Sequence, residues 1–215
     1  MLGCVDCHTR DLGGKRFIDS EAGRLAASNL THGAGGVGDV YADVDWVRAI
    51  RHGVRPTGKP LLVMPSAEFR NISDTDLGHI IAYIKSVPPV DRVPVALQIG
   101  LLFRGLFVAG QVPLVSAELI DHTAPVVAQP PSVSVEYGQY LVASCTGCHQ
   151  ANFAGGPLPG QTEDSPPAAN LTPAGRLSRW TEADFIQTIR SGVRADGTPI
   201  NNAKYALASL RPVQG

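Results

Sequence analysis

Apolar residues recur at helical spacing in two places, at Trp46, Val47, Ile50 and Val54 and at Phe185, Ile186, Ile189 and Val193. Each run predicts a short amphipathic helix that stops at a glycine, Gly53 in the first and Gly192 in the second. Thr181 with Asp184 three residues on forms a capping-box-like start for the later helix, and Asp43 and Asp45 place negative charge in the first turn of the earlier one. A third helix is predicted after Ser73, whose side chain with Asp76 can cap a face of Leu77, Ile80, Ile81 and Ile84 that ends before Pro88-Pro89. Tyr137, Tyr140 and Leu141 mark one more helix, just before Cys145. Between them lies a stretch punctuated by Pro94, Pro113, Pro125 and Pro130-Pro131. Within it, Ile99 to Val108 is apolar but too short, and too interrupted by Arg104, to span a bilayer. Two uses stay open for that segment: inter-domain packing, or docking on a membrane or partner subunit.

The pattern also repeats. Cys4, Cys7 and His8 align with Cys145, Cys148 and His149 at an offset of 141, as does Asn29-Leu30-Thr31 with Asn170-Leu171-Thr172. At an offset of 139, Ile50-Arg51 meets Ile189-Arg190, Gly53-Val54-Arg55 meets Gly192-Val193-Arg194, and Gly58 and Pro60 meet Gly197 and Pro199. The chain therefore reads as two homologous domains, residues 1–89 and 136–215, joined by a Pro-containing linker over 90–135.

Composition narrows what these domains are. The 215 residues include 23 glycines and 17 prolines, with only 17% charged and 6% aromatic, which describes a mainly α, loop-rich chain with little apolar mass for a core. A net charge of −1 supplies no basic excess for nucleic acid.

All four cysteines fall in two five-residue strings, Cys4-Val5-Asp6-Cys7-His8 and Cys145-Thr146-Gly147-Cys148-His149, leaving none for a structural disulfide. Cysteines at i and i+3 lie on one turn of helix, where two sulfurs can reach the two vinyl groups on one side of a haem while the following histidine faces the iron. A zinc site would gather its two Cys pairs within about 15 to 20 residues, and these pairs are far wider apart. A redox dithiol fits poorly, since nothing around either pair resembles a thioredoxin-type βαβ unit. Each string thus reads as a covalent haem c attachment site, with Cys4, Cys7, Cys145 and Cys148 as thioether donors and His8 and His149 as axial ligands. Two haems would supply the missing apolar mass.

On these strings, together with the repeated Asn-Leu-Thr, the Ile-Arg-x-Gly-Val-Arg segments and Met64-Pro65, the chain resembles bacterial dihaem cytochromes c with tandem class I domains, such as the cytochrome subunits of membrane-bound alcohol and gluconate dehydrogenases. The resemblance spans roughly residues 1–89 and 136–202. It implies that Met64, the only methionine besides Met1, is the second axial ligand of the first haem, a soft thioether that favours ferrous iron. It implies haem propionate contacts from Asn29, Arg51, Asn170 and Arg190, against the plainer reading of a solvated face or turn. Trp46 and Trp180 read as haem-packing core. His32, His52, His79 and His122 read as surface residues, with His122 of interest as a ligand for the second iron.

The second half departs from the family pattern: after Ile200 it reads Asn201-Asn202-Ala203-Lys204-Tyr205 and holds no methionine. Either both ends are truncated or misread, or the second haem is five-coordinate, or it takes Lys204 or a group from a partner. The resemblance implies export, yet only three residues precede Cys4, so the N-terminus is expected to be clipped or its start misassigned. The expected function is single-electron transfer between a dehydrogenase or quinol-linked donor and a respiratory or photosynthetic acceptor, in the periplasm or on the outer face of the cytoplasmic membrane. Its partners would be redox proteins, in a membrane-associated oxidoreductase complex, with membrane contact through the linker or a missing N-terminal anchor. The competing expectation is a dihaem peroxidase-like enzyme with an open second iron.

Overall fold

A computed structural model of the protein describes residues 3–20, 23–111, 115–157 and 166–200. The chain divides into two compact units, Cys4–Tyr140 and Leu141–Gly215 together with Met1–Gly3. The described residues are mostly helical, with one small sheet and long loops.

The first unit opens with α1 (Cys4–His8), a single turn and a half carrying the first cysteine string. Strands β1 (Arg16–Ser20) and β2 (Gly23–Ala26) follow as an antiparallel pair whose register slips between Arg16 and Ile18. Helix α2 (Asp43–His52) is the first predicted helix, and it ends where expected, at Gly53 with φ +66°, a left-handed conformation that glycine adopts without a side-chain clash. Its start differs from its later copy: the N-cap is Ala42, which has no side chain to cap with, and the Asp45 carboxylate accepts only the Ala42 amide. Helix α3 (Ser66–Phe69) is one turn, and α4 (Asp74–Ser86) begins with the Ser73 hydroxyl accepting from the Asp76 amide, as the sequence predicts.

The core of the first unit forms where α2 meets α3 and α4. Trp46 and Ile50 of α2, Phe69 of α3, and Leu77, Ile81 and Ile84 of α4 are buried there, as are Leu12 and Ile72 elsewhere in the unit. Each such side chain contributes about 1.5 to 3 kcal/mol through burial. Tyr41 meets Trp46 edge-on with ring centroids 5.1 Å apart.

Residues 90–135, expected as a spacer, fold largely against this first unit. Strand β3 (Gln98–Ile99) adds to β2, giving the order β1-β2-β3. Helix α5 (Leu101–Val108) coincides with the apolar stretch and leaves Leu101, Leu102 and Val108 exposed. A 3-10 turn at Ser116–Leu119 lies against α3, where the Ala67 amide donates to the Ser116 hydroxyl at 2.8 Å. Among the described residues no helix is long and apolar enough to cross a membrane.

Helix α6 (Val135–Val142) leads into the second unit, which carries α7 (Thr146–His149) with most of the second cysteine string, and α8 (Glu182–Ser191). Here the predicted capping box is complete, with Thr181 and Asp184 exchanging side-chain and backbone bonds, and Gly192 closes the helix at φ +73°.

Candidate haem attachment sites

In each unit the cysteine string sits on a helical turn that delivers its histidine to a loop carbonyl. The His8 Nδ1–H donates to the Ser28 carbonyl at 2.8 Å, and the His149 Nδ1–H donates to the Ala169 carbonyl at the same distance. A backbone carbonyl cannot donate, so the bond fixes the tautomer and leaves Nε2 of each ring with a free lone pair. A ring so held is a metal ligand in waiting, its second nitrogen oriented by an outer partner. Burial also holds the His8 imidazole below its ordinary pKa, which keeps it neutral at pH 7.

The loops that carry these carbonyls are built the same way. The chain leaves each histidine through left-handed backbone at Thr9 and Leu12 in one unit, and at Gln150 and Phe153 in the other. Gly14 returns its amide to the His8 carbonyl at 2.8 Å, and Gly155 to that of His149 at 3.0 Å. Glycine is required at both: a Cβ on Gly14 would lie 2.4 Å from the Ala27 carbonyl oxygen, and on Gly155 2.3 Å from that of Ala168. The Leu30 amide then bonds the Leu12 carbonyl and the Leu171 amide the Phe153 carbonyl, both at 2.8 Å. After the glycine caps of α2 and α8 the match resumes, with Leu61 donating to Gly53 at 2.6 Å and Ile200 to Gly192 at 2.7 Å.

No disulfide joins the four cysteines, of which Cys4 and Cys145 are partly buried and Cys7 and Cys148 exposed. Burial pushes the Cys4 thiol up from its usual value, the opposite of the depressed pKa that a reactive dithiol or a preformed thiolate site needs. Among the described residues no group of three or more His, Cys, Asp or Glu side chains is gathered to hold a bare metal ion. The donor set therefore suits haem c: two thiols on one turn and one neutral, carbonyl-oriented imidazole beside them. The Trp46 indole N–H is buried without a protein partner.

Met64 is half-buried and sits in backbone of unusual form. Val63 before it has φ +69°, a costly conformation for a β-branched residue, and Pro65 after it, at φ −81° and ψ 56°, makes an inverse γ-turn closed by the Ser66 amide on the Met64 carbonyl at 2.9 Å. The fully buried Ser66 hydroxyl donates to the Ala49 carbonyl of α2 at 3.1 Å, which anchors this turn to the core.

The remaining expected residues are placed as follows. Asn29 is fully buried, its amide donating to the Val90 and Arg92 carbonyls and its oxygen accepting from the backbone and hydroxyl of Thr31. Asn170 makes the same turn with Thr172. Arg51 is buried, bonded to the Ile72 carbonyl at 2.8 Å and paired with Asp74 at 2.7 Å, with its Nε left without a partner. Arg190 is exposed at the matching place on α8. His32 is held by Asp39, His79 is exposed, and His122 lies against His52 in the first unit. Lys204 lies outside the described residues. The Ser28 and Ala169 carbonyls, which orient the histidines, had no sequence signal, because any residue supplies that oxygen.

No family model matches the chain. It is 30% identical to the fructose dehydrogenase cytochrome subunit of Gluconobacter japonicus, over 96% of this chain and 47% of that protein. It is 27% identical to the cytochrome c subunit of the quinone alcohol dehydrogenase of Gluconobacter oxydans (strain 621H), over 89% of this chain and 45% of that one. A diheme cytochrome c-type protein of Cereibacter sphaeroides is 25% identical over 90% of this chain and 71% of its own length. The chain thus spans about half the length of the two dehydrogenase subunits. With the paired attachment geometry and these relatives together, the chain is a homologue of cytochrome c subunits of fructose and alcohol dehydrogenases and of a diheme cytochrome c.

Proposed function

We propose that this chain is a dihaem electron-transfer protein with tandem class I cytochrome c domains, its haems held at Cys4, Cys7 and His8 and at Cys145, Cys148 and His149. The observation that carries the reading is the matched pair of 2.8 Å bonds from His8 to Ser28 and from His149 to Ala169, each directly beside a CxxCH pair. Haem c, when bound, supplies one-electron redox chemistry at its iron. The protein's own residues do the rest. The cysteines hold the group covalently, and the carbonyls keep a proton on Nδ1 and so leave Nε2 for the iron.

Met64 is the sixth ligand at the first site in this reading, supported by the anchored turn that presents it, and a His/Met pair raises the potential. Within residues 1–215 the only other methionine is Met1, and Lys204 is the candidate sixth ligand of the second site in this segment. Arg51, whose Nε has no protein partner, is the candidate for a propionate contact at the first site, and Asn170 and Arg190 are the candidates at the second. The relatives' names, cytochrome subunits of fructose and quinone alcohol dehydrogenases, support a dehydrogenase or quinol-linked donor and an oxidoreductase complex as partner. The reading further places that complex at a membrane, with this chain in the periplasm or on the outer face of the cytoplasmic membrane.

After Ile200 the sequence reads Asn201-Asn202-Ala203-Lys204-Tyr205 with no thioether, and this favours one other reading, a haem enzyme with an open second iron. Low-temperature EPR and near-infrared absorption of the ferric dihaem protein separate the two. Two low-spin signals with a methionine charge-transfer band from one haem support the carrier, with an unusual second ligand. A high-spin signal, with carbon monoxide bound by the reduced protein, overturns that assignment in favour of an open site.

A further inference from the structure

Outside the haem sites, the described side chains that come closest to forming a second ligand set are His52 and His122, which lie 70 residues apart in sequence. His52 ends α2, and His122 follows the 3-10 turn that the 90–135 segment lays against α3. Their Nδ1 atoms face each other at 2.9 Å, with ring centroids 5.1 Å apart and planes tilted by 35°. His122 Nε2–H donates to the Ala117 carbonyl at 3.1 Å, so its Nδ1 carries a lone pair directed at His52. As at His8 and His149, one N–H of His122 is spent on a backbone carbonyl; the other nitrogen accepts the His52 Nδ1–H, a proton that moves to His52 Nε2 when both Nδ1 atoms coordinate.

We propose that His52 and His122 form a surface binding site for one divalent ion of the copper, nickel or zinc kind, with water completing its coordination. Imidazole nitrogens suit these ions. Two nitrogens that share one ion at about 2.0 to 2.1 Å, at angles from square to tetrahedral, stand about 2.9 to 3.4 Å apart. The separation here falls at the short end of that range and needs little movement to open. Burial, and then the neighbouring His122 and arginines, also hold the His52 imidazole below its usual pKa, so protons compete less for that ring. Those arginines are largely committed elsewhere: Arg48 to Asp45 at 3.0 Å, Arg51 to Asp74, and Arg70 to the Asp121 and Ala124 carbonyls. An ion here would staple the Ser116–Ala124 segment to α2, fastening what is now held by hydrogen bonds and by the buried Ile120. The site is independent of the haem ligand assignment.

The test is a Cu2+ titration of the ferric dihaem protein at neutral pH, read by copper EPR and by the thermal midpoint with added Zn2+. The expected result is one Cu2+ per chain with coupling to two nitrogens, a midpoint raised by Zn2+, and loss of both in His52→Gln and His122→Gln. Each of these variants should bind at least ~10-fold more weakly, while His79→Gln should bind as the parent does. Haem absorption checks that every variant is folded. Coupling to a single nitrogen, affinity unchanged in either His52→Gln or His122→Gln, or no bound Cu2+ at micromolar concentration would overturn the proposal.

Discussion

Helices α2 and α8 share ten-residue length, acidic first turns and left-handed glycine caps, yet Trp46 and Ile50 are 2% and 8% exposed while their counterparts Phe185 and Ile189 are 41% and 38% exposed. In the first unit α3 and α4, from elsewhere in the chain, lie against α2, and their Phe69, Leu77, Ile81 and Ile84 are buried with it. The loop around each histidine closes with the same bonds in both units, whether or not the neighbouring helix is covered. Local hydrogen bonding builds the attachment site, and a non-local layer of apolar side chains supplies the stability.

The comparison breaks most sharply when the thioether donors are removed. Cys4→Ser with Cys7→Ser should reduce covalent haem from two to one per chain, as should Cys145→Ser with Cys148→Ser, measured by pyridine haemochrome on denatured protein. If the units differ as described, the first pair should also cost more stability, since it removes a group from beside the packed core. A haem count unchanged by either pair would sink the assignment.

Side-chain truncation tests the burial contrast directly. Trp46→Ala should destabilise the first unit by about 3 to 5 kcal/mol, whereas Phe185→Ala, already two-fifths exposed, should stay within about 1 kcal/mol. Denaturant titration followed by circular dichroism reads both. Met64→Leu should abolish the near-infrared charge-transfer band and lower one of two reduction potentials while leaving the other in place. A band that survives would remove Met64 from the first iron.

The smallest effects lie at the helix starts. Thr181→Ala should cost about 1 kcal/mol, and Ala42→Ser should gain a similar or smaller amount by supplying the cap that α2 lacks. The Asp184 carboxyl is held below its ordinary pKa by the Thr181 backbone amide and hydroxyl. Its contribution is therefore present above the unfolded carboxylate pKa, near 4, and lost as pH falls through the lower folded value. The penalty of Thr181→Ala should accordingly shrink in strong acid.

Much of this was legible in the sequence because it rests on local rules. The CxxCH turns, the glycine stops of α2 and α8, and the caps at Ser73 and Thr181 each follow from residues within four positions of one another. The sheet was not legible. Strand β1 slips register between Arg16 and Ile18, and β3 is two residues recruited from about 75 positions away. Asn29 looked available for a carboxylate because its sequence neighbours say nothing of the Val90 and Arg92 carbonyls that occupy its amide. The His52–His122 pair was invisible for the same reason: neither residue has a local signal for the other.

The bonds from Asn29 and Thr31 to Val90 and Arg92 span 59 to 63 residues and enclose α2, α3 and α4 in one loop. A disulfide across such a span would restrict the unfolded chain by about 4 kcal/mol, but hydrogen bonds impose nothing until the chain has folded. The closure entropy must therefore be met during folding, which makes this clasp a late event in the order of assembly. In native-state hydrogen exchange the Val90 amide, bonded to the Thr31 hydroxyl at 2.9 Å, should open only with the whole enclosed segment. The segment then behaves as a single cooperative block, released all at once or not at all.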